Sequence, residues 1–347
     1  MSILSKKFFH DDAAAFEYLE GLIWNGKPVC SHCGESKKVG ALKPVTPRRK
    51  EKNKDGTYKF EADGSPVWKY SPTRHGIKKC YTCRKQFTVT VGTVFESSHV
   101  PLHKWLQAAY LLMSSKKGIS SKQLERTLEV TYKTAWFMSH RLREAMMSGD
   151  LPPMGGEGSV IEADETYIGF KKTKKERIAS IRYVRSADGN KVWRVGNRGL
   201  GRKHTVMALV ERGGKVRSFH INSATTANVT RILNANADKR SRLMTDEAKF
   251  YTMVGYQYAS HETVKHKHKE YVRGDVTTNT IEGVFSIFKR GMKGIYQHCS
   301  EKHLHRYLAE YDVRYNNRER LGVNDMERTA NALQGIVGNR LTYRSAH

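Results

Sequence analysis

Val160-Ile-Glu-Ala-Asp-Glu-Thr-Tyr-Ile168 is a short apolar run with acids set into it. On its N-terminal side lies Leu151-Pro-Pro-Met-Gly-Gly-Glu-Gly158, whose prolines and glycines mark a linker. Length and composition make the run a strand. Alternation with period two puts Glu162, Asp164 and Thr166 on one face and turns Glu165 to the other. A carboxylate inside an apolar strand is costly to bury unless it is paired or holds a metal. Asp164 is therefore a candidate metal ligand, with Glu162 as a neighbour.

The segments that follow build a layered α/β domain around this strand. His204-Thr-Val-Met-Ala-Leu-Val210 and Val216-Arg-Ser-Phe-His-Ile221 flank Glu211-Arg-Gly-Gly-Lys215 and read as a hairpin. Residues 228–237 are helical. Arg242-Leu-Met-Thr-Asp246 is a further strand that ends on an acid, the place where function commonly sits in α/β sheets. In Asn279-Thr-Ile-Glu-Gly-Val-Phe-Ser-Ile-Phe-Lys289, residues Ile281, Val284, Phe285 and Phe288 make a buried helical stripe, continued by Met292 and Ile295. Asn279, Glu282, Ser286, Lys289 and Lys293 fall on a different face, so Glu282 shares its side with two lysines able to track a phosphate backbone. Three oxygen-donor acids, Asp164, Asp246 and Glu282, suit Mg2+ or Mn2+. Two such ions serve in-line phosphodiester attack, which asks little more of a protein than positioning and charge.

The net charge of +27, from 61 Lys and Arg against 34 Asp and Glu, points to a polyanionic partner. Nucleic acid leads, because no apolar run approaches the roughly 20 residues of a membrane-spanning helix. The first residues lack the apolar core of a secretory signal, so a cytoplasmic, nucleoid-associated location is expected. The segment 170–203 carries twelve Lys and Arg against Glu176 and Asp188. It reads as a loop or flap over nucleic acid, or else as a solvated insertion. Lys171, Lys172, Lys174 and Lys175 are its candidate contacts, joined by Lys289 and Lys293. His261, His266 and His268 lie in a basic patch and read as surface or phosphate contacts.

Cys30-Ser-His-Cys33 and Cys80-Tyr-Thr-Cys83 are two C-x-x-C knuckles, and Cys299 stands apart. Two knuckles complete one tetrahedral zinc site, and disulfides do not suit a reducing compartment. The long stretch between them holds the turn signals Lys54-Asp-Gly56 and Ala62-Asp-Gly-Ser65, and reads as an inserted hairpin with a basic start. Downstream, Trp105, Leu106, Ala109, Leu112 and Met113 form a helical stripe that Gly118 ends. Ser120-Ser-Lys-Gln123 is a capping box, and Thr131 caps a third helix from Tyr132 to Met147. This is either a helix-turn-helix with Lys133, Thr134, His140, Arg141 and Arg143 exposed, or a three-helix bundle that never meets DNA. On the first reading Lys133 and Arg141 are DNA contacts. The expected division is 1–95 for the first helix and zinc ribbon with its hairpin, 96–150 for the helical domain, 155–320 for the α/β domain and 321–347 for a tail.

With these motifs in place the chain resembles bacterial insertion-sequence DDE transposases that carry an N-terminal zinc ribbon and an RNase H-like catalytic domain. The resemblance rests on the knuckles, on Asp164-Glu-Thr-Tyr-Ile-Gly169, Thr245-Asp-Glu247 and Asn279-Thr-Ile-Glu282, and above all on the run from Glu282 through Phe285-Ser-Ile-Phe-Lys-Arg-Gly291 to Arg314-Tyr-Asn-Asn-Arg318. It implies an RNase H-like mixed sheet flanked by helices, with Asp164, Asp246 and Glu282 as the catalytic acids. Some relatives place Asn at the third position, which makes Asn279 the fallback for Glu282. It also implies binding of double-stranded terminal repeats, nicking by water and transfer of the freed 3′-hydroxyl to target DNA by a homo-oligomer. Two other readings stay open: an RNase H-like nuclease without strand transfer, and a zinc-ribbon, helix-turn-helix regulator whose acids are structural.

Overall fold

The computed structural model describes residues 2–341 except 45–47, 71–73, 148, 150, 170–180, 186–188, 190, 196–202, 269 and 340. The chain falls into two compact units, one of residues 1–111, 124–145 and 329–347, the other of 112–123 and 146–328. Among the described residues no helix is long and apolar enough to cross a membrane.

The first unit begins with α1 (Asp12–Trp24), capped by Asp11, whose carboxylate accepts the Ala14 N–H at 2.8 Å. Strands β1 (Val39–Ala41), β4 (Lys78–Cys80) and β5 (Gln86–Phe87) form a three-stranded antiparallel ribbon in the order β1-β4-β5. Between β1 and β4, strands β2 (Arg48–Lys50) and β3 (Trp68–Tyr70) pair antiparallel, as the turn signals predict. At the two inner turns Asp55 accepts the Thr57 N–H and Asp63 accepts the Ser65 N–H. Gly56 and Gly64 take the left-handed backbone that each turn requires (φ +89° and +81°).

The predicted helices form as α2 (Leu102–Ser114), α3 (Ser121–Leu128) and α4 (Tyr132–Ala145). Ser120 Oγ accepts the Gln123 N–H at 3.1 Å, and Thr131 Oγ1 accepts the Thr134 N–H at 3.3 Å, so both caps stand where the sequence puts them. The exposure expected on α4 does not hold. Lys133 is exposed, but His140, Arg141 and Arg143 are buried. The Arg141 guanidinium donates to the carbonyls of Glu96 (2.7 Å) and Leu341 (3.2 Å) and lies over the Phe137 ring. The reason lies far along the chain: its last segment returns to this unit and covers that face. Leu333 and Ile336 are buried there, and a side chain at Gly335 would meet the Ala145 carbonyl.

The second unit is built on a five-stranded sheet of β6 (Val160–Ile168), β9 (His204–Glu211), β10 (Val216–Ile221), β11 (Arg242–Asp246) and β12 (Ser260–Val264). A separate antiparallel pair, β7 (Ile181–Arg185) and β8 (Lys191–Val195), lies within the basic stretch, and another, β13 (Val272–Arg273) and β14 (Val276–Thr277), precedes the helix of Glu282. The sheet order is β10-β9-β6-β11-β12. Its first three strands form an antiparallel meander, and β11 and β12 run parallel to β6. That mixed sheet, with helices on both faces, is the RNase H-like arrangement expected. On one face Ile161, Ala163, Met207 and Leu209 pack on Val229, Ile232 and Leu233 of helix Thr226–Asn236. On the other, Val206, Ala208 and Val210 pack on Ile281, Val284, Phe285 and Phe288 of helix Asn279–Gly291, and on Leu304, Leu308 and Tyr311 of helix Leu304–Asn316. Burial of both faces explains why β9 reads as an unbroken apolar run rather than an alternating one.

Candidate active site and metal centres

Strands β6 and β11 pair in parallel through Arg242 with Val160, Leu243 with Ile161 and Met244 with Glu162. The pairing stops there. The same register would set Asp246 opposite Asp164, so the two aspartates stand where the strands separate. Two acids in this gap are held apart by no ladder bond and have room between them for a shared ligand. Asp164 Oδ1 accepts its neighbour's N–H, from Glu165, at 2.7 Å, and Asp246 Oδ1 accepts the Ala248 N–H at 3.0 Å. Behind Asp246, the Thr245 hydroxyl donates to the Asp246 carbonyl (2.8 Å) and sits 3.0 Å from His261 Nε2. With the hydroxyl proton committed, His261 Nε2–H is the donor of that second bond. His261 is thus a support for the Asp246 strand end rather than a surface residue.

Carboxylate oxygens of Asp164, Glu165 and Asp246 all lie within 4.8 Å of one another. Glu165 is the residue that sequence alternation turned away. It pairs with Met207 inside the β6–β9 ladder, and its Oε2 accepts the hydroxyl of Tyr251, a fully buried ring, at 3.1 Å, yet a carboxylate oxygen still comes within reach of the aspartates. The adjacency of Glu165 to Asp164 in sequence was the available signal. Burial first, then the charges of Glu165 and Asp246, push the Asp164 carboxyl up to about 8. Burial, then Asp246, pushes Glu165 up to about 7. Acids this crowded repel one another and gain from a cation. Their hard oxygen donors fit Mg2+ or Mn2+.

Glu282 stands at the first turn of its helix, on the exposed side, outside the 4.8 Å group but near enough that its charge also raises Asp164. Its Oε1 lies 3.5 Å from His266 Nε2 and 3.3 Å from the Thr278 hydroxyl. Asn279, one turn earlier, is exposed. Lys293 is exposed and Lys289 half-buried further along the helix. Lys171, Lys172, Lys174 and Lys175 lie outside the described residues.

Glu162 proves not to be a neighbour of the ligand group. It is fully buried and accepts from the Arg212 guanidinium at 2.9 Å, the Thr280 hydroxyl at 2.8 Å and the Ile281 N–H at 3.0 Å. A carboxylate at the first N–H groups of a helix satisfies orphan donors and meets the positive end of the dipole. Arg212 also donates to the carbonyls of Asp275 and Thr277. The Glu162–Arg212 pair therefore clamps the start of the Glu282 helix onto β6, next to the aspartate.

In the first unit the four knuckle sulfurs lie within 4.8 Å of one another, Cys30 to Cys83 at 3.7 Å and Cys33 to Cys80 at 3.6 Å. Those separations are far too long for disulfides. Thiolates about 2.3 Å from a tetrahedral ion stand about 3.8 Å apart, so the cluster fits zinc. Each knuckle closes on a left-handed residue, Gly34 (φ +75°) and Arg84 (φ +60°), which brings its second sulfur round to the first.

Residues 155–316 match the ISXO2-like transposase domain, and residues 10–49 match the transposase zinc-ribbon domain. The chain is 30% identical over 243 residues to the uncharacterized protein in transposable element ISH50 of Halobacterium salinarum, across 68% of this chain and 76% of that one. The chain belongs to the insertion-sequence transposases with an N-terminal zinc ribbon. Among solved structures it also matches the Mos1 mariner paired end complex with Mn, at 17% identity, TM-score 0.25 and 66% and 74% coverage of the two chains. A pre-cleavage Mos1 transpososome matches at 16% identity and TM-score 0.24, covering 66% and 73%. Superpositions that loose carry no inference about this transposase.

Proposed function

We propose that this transposase binds the terminal inverted repeats of its element as double-stranded DNA, hydrolyses the strand at each end and joins the 3′-hydroxyl to target DNA. The observation that supports this best is the closeness of the Asp164 and Asp246 carboxylates, within 4.8 Å, beyond the point where β6 and β11 part. Two carboxylates there offer oxygen ligands around one small volume, and Glu282 on the clamped helix is the candidate third. Mg2+ or Mn2+ ions bound by them supply activation of the attacking oxygen and charge for the leaving one. The chain's own contribution is placement. Tyr251 and the Ala248 N–H orient Glu165 and Asp246, and Glu162 fixes the helix that brings Glu282. Lys133, Lys289 and Lys293 provide backbone contacts outside this volume, while buried Arg141 serves the fold instead. A structural zinc on the four cysteines holds the ribbon. Joining two element ends calls for at least a dimer on DNA, and the enzyme works on cytoplasmic, nucleoid DNA.

The test is cleavage and strand transfer on both candidate element ends with Mg2+, comparing wild type with Asp164→Asn, Asp246→Ala, Glu282→Gln, Glu165→Gln and Asn279→Ala. Asp164→Asn and Asp246→Ala lower cleavage at least about 1,000-fold while DNA binding survives. Glu282→Gln matches them if Glu282 is the third ligand. Near-full activity of Glu282→Gln with loss in Asn279→Ala or Glu165→Gln reassigns that position. Turnover retained in Asp164→Asn sinks the proposal and returns the chain to the DNA-binding regulator reading. Cleavage without joining of pre-cut ends returns it to the nuclease.

A further inference from the structure

A third cluster of metal-type ligands shares no residue with the carboxylates or the cysteines. His204 opens β9, His220 lies on β10 and Glu301 opens a one-turn helix at Glu301–His303. One ligand atom from each falls within 4.8 Å of the other two. His204 Nδ1 is 3.8 Å from Glu301 Oε2, and His220 Nε2 is 3.8 Å from Glu301 Oε1. Both distances are too long for hydrogen bonds. They exceed only slightly the roughly 3.4 Å between two ligands of one tetrahedral zinc. The imidazoles stand edge to face, centroids 5.9 Å apart, so that they converge without stacking.

Two further observations favour a ligand over a packed histidine pair. His204 is 6% exposed, and its Nδ1, the atom nearest Glu301, is buried with no hydrogen-bond partner among the described residues. A buried imidazole nitrogen left so is costly unless something else takes its lone pair or proton. Glu301, by contrast, is about half exposed (46% at the side chain), so an ion reaches the cluster from solvent and keeps a position for water. The register separates this cluster from the aspartates. His204 pairs with Ile168, four residues beyond Asp164 on β6 and so about 13 Å along the strand.

We propose that His204, His220 and Glu301 form a divalent-metal site, best suited to zinc, with water completing the shell. Two imidazoles and one carboxylate are the donor set of open, three-ligand zinc sites. The ion ties the start of β9, the far part of β10 and the Glu301 turn together, and so fixes the point where the chain re-enters the sheet from the segment 170–203. Sequence spacing hides the site because Glu301 lies far along the chain from the β9–β10 hairpin that carries both histidines.

The test counts ions in the full-length protein. Zinc is titrated in and weakly held metal removed by gel filtration before elemental analysis of wild type, Glu301→Ala and His220→Ala. Each variant retains one zinc fewer than wild type, its affinity for that ion at least about 10-fold weaker, while the ribbon zinc stays. Glu301→Ala changes a half-exposed side chain and keeps the test alive if His220→Ala fails to fold. With Co2+, Glu301→Cys gains thiolate-to-cobalt charge transfer beyond that of the ribbon, which no packing role produces. Equal zinc in wild type and Glu301→Ala, or no new cobalt band in Glu301→Cys, overturns the site.

Discussion

A carboxyl raised to about 8, as that of Asp164 is, keeps its proton at neutral pH when no divalent ion is bound. In the unfolded chain the same group titrates near 3.9. Between about pH 4 and pH 8 the native state therefore holds a proton that the unfolded state has released, and stability falls as pH rises across that window. Asp164→Asn abolishes this contribution. Thermal melts without added Mg2+ or Mn2+ are expected to fall less steeply with pH in the variant, and identical slopes contradict the assignment. If Asp164 is a metal ligand, added Mn2+ is expected to displace the proton, and its stabilisation of the wild type to grow with pH. The Glu162–Arg212 clamp makes a second residue-scale prediction. Arg212→Ala leaves a fully buried carboxylate without its cation and is expected to cost about 3–5 kcal/mol. A shift in urea midpoint equivalent to less than about 1 kcal/mol would show that Thr280 and the Ile281 N–H suffice.

Elements differ in how much of their role shows locally. The caps Ser120 and Thr131, the turns around Gly56 and Gly64 and the stripe of helix Asn279–Gly291 were legible because each depends on residues a few positions apart. Asp164 was legible as an acid set inside an apolar strand, and Asp246 as an acid at a strand's end. Glu165 was not, since period-two alternation assigns a face and not a reach: the side chain that bonds Tyr251 still has an oxygen within 4.8 Å of the aspartates. Arg141 was misplaced for a different reason: what covers α4 comes from the other end of the chain. That contrast is testable on one helix. Arg141→Ala strands the Glu96 and Leu341 carbonyls and is expected to cost about 2 kcal/mol or more. Lys133→Ala, on the exposed turn, stays within about 0.5 kcal/mol of wild type in denaturant melts. In gel shifts the order reverses: Lys133→Ala weakens DNA binding while folded Arg141→Ala does not.

At the scale of the whole molecule the +27 charge governs how it meets DNA. Each phosphate neutralised is expected to contribute about −0.9 to the slope of log affinity against log salt, and a flat plot between 50 and 200 mM would exclude backbone binding. The sheet accounts for the position of the acids, and the ribbon for the cysteines, yet the β2–β3 hairpin between the knuckles belongs to neither. Its inner turns at Gly56 and Gly64 face open space, with nothing within 4 Å of where a side chain would begin. Exposed tips of that kind accept grafted sequence readily. They offer a handle on the transposase: a fluorophore or affinity tag spliced there leaves both knuckles and the acids untouched, and lets single molecules be followed on DNA.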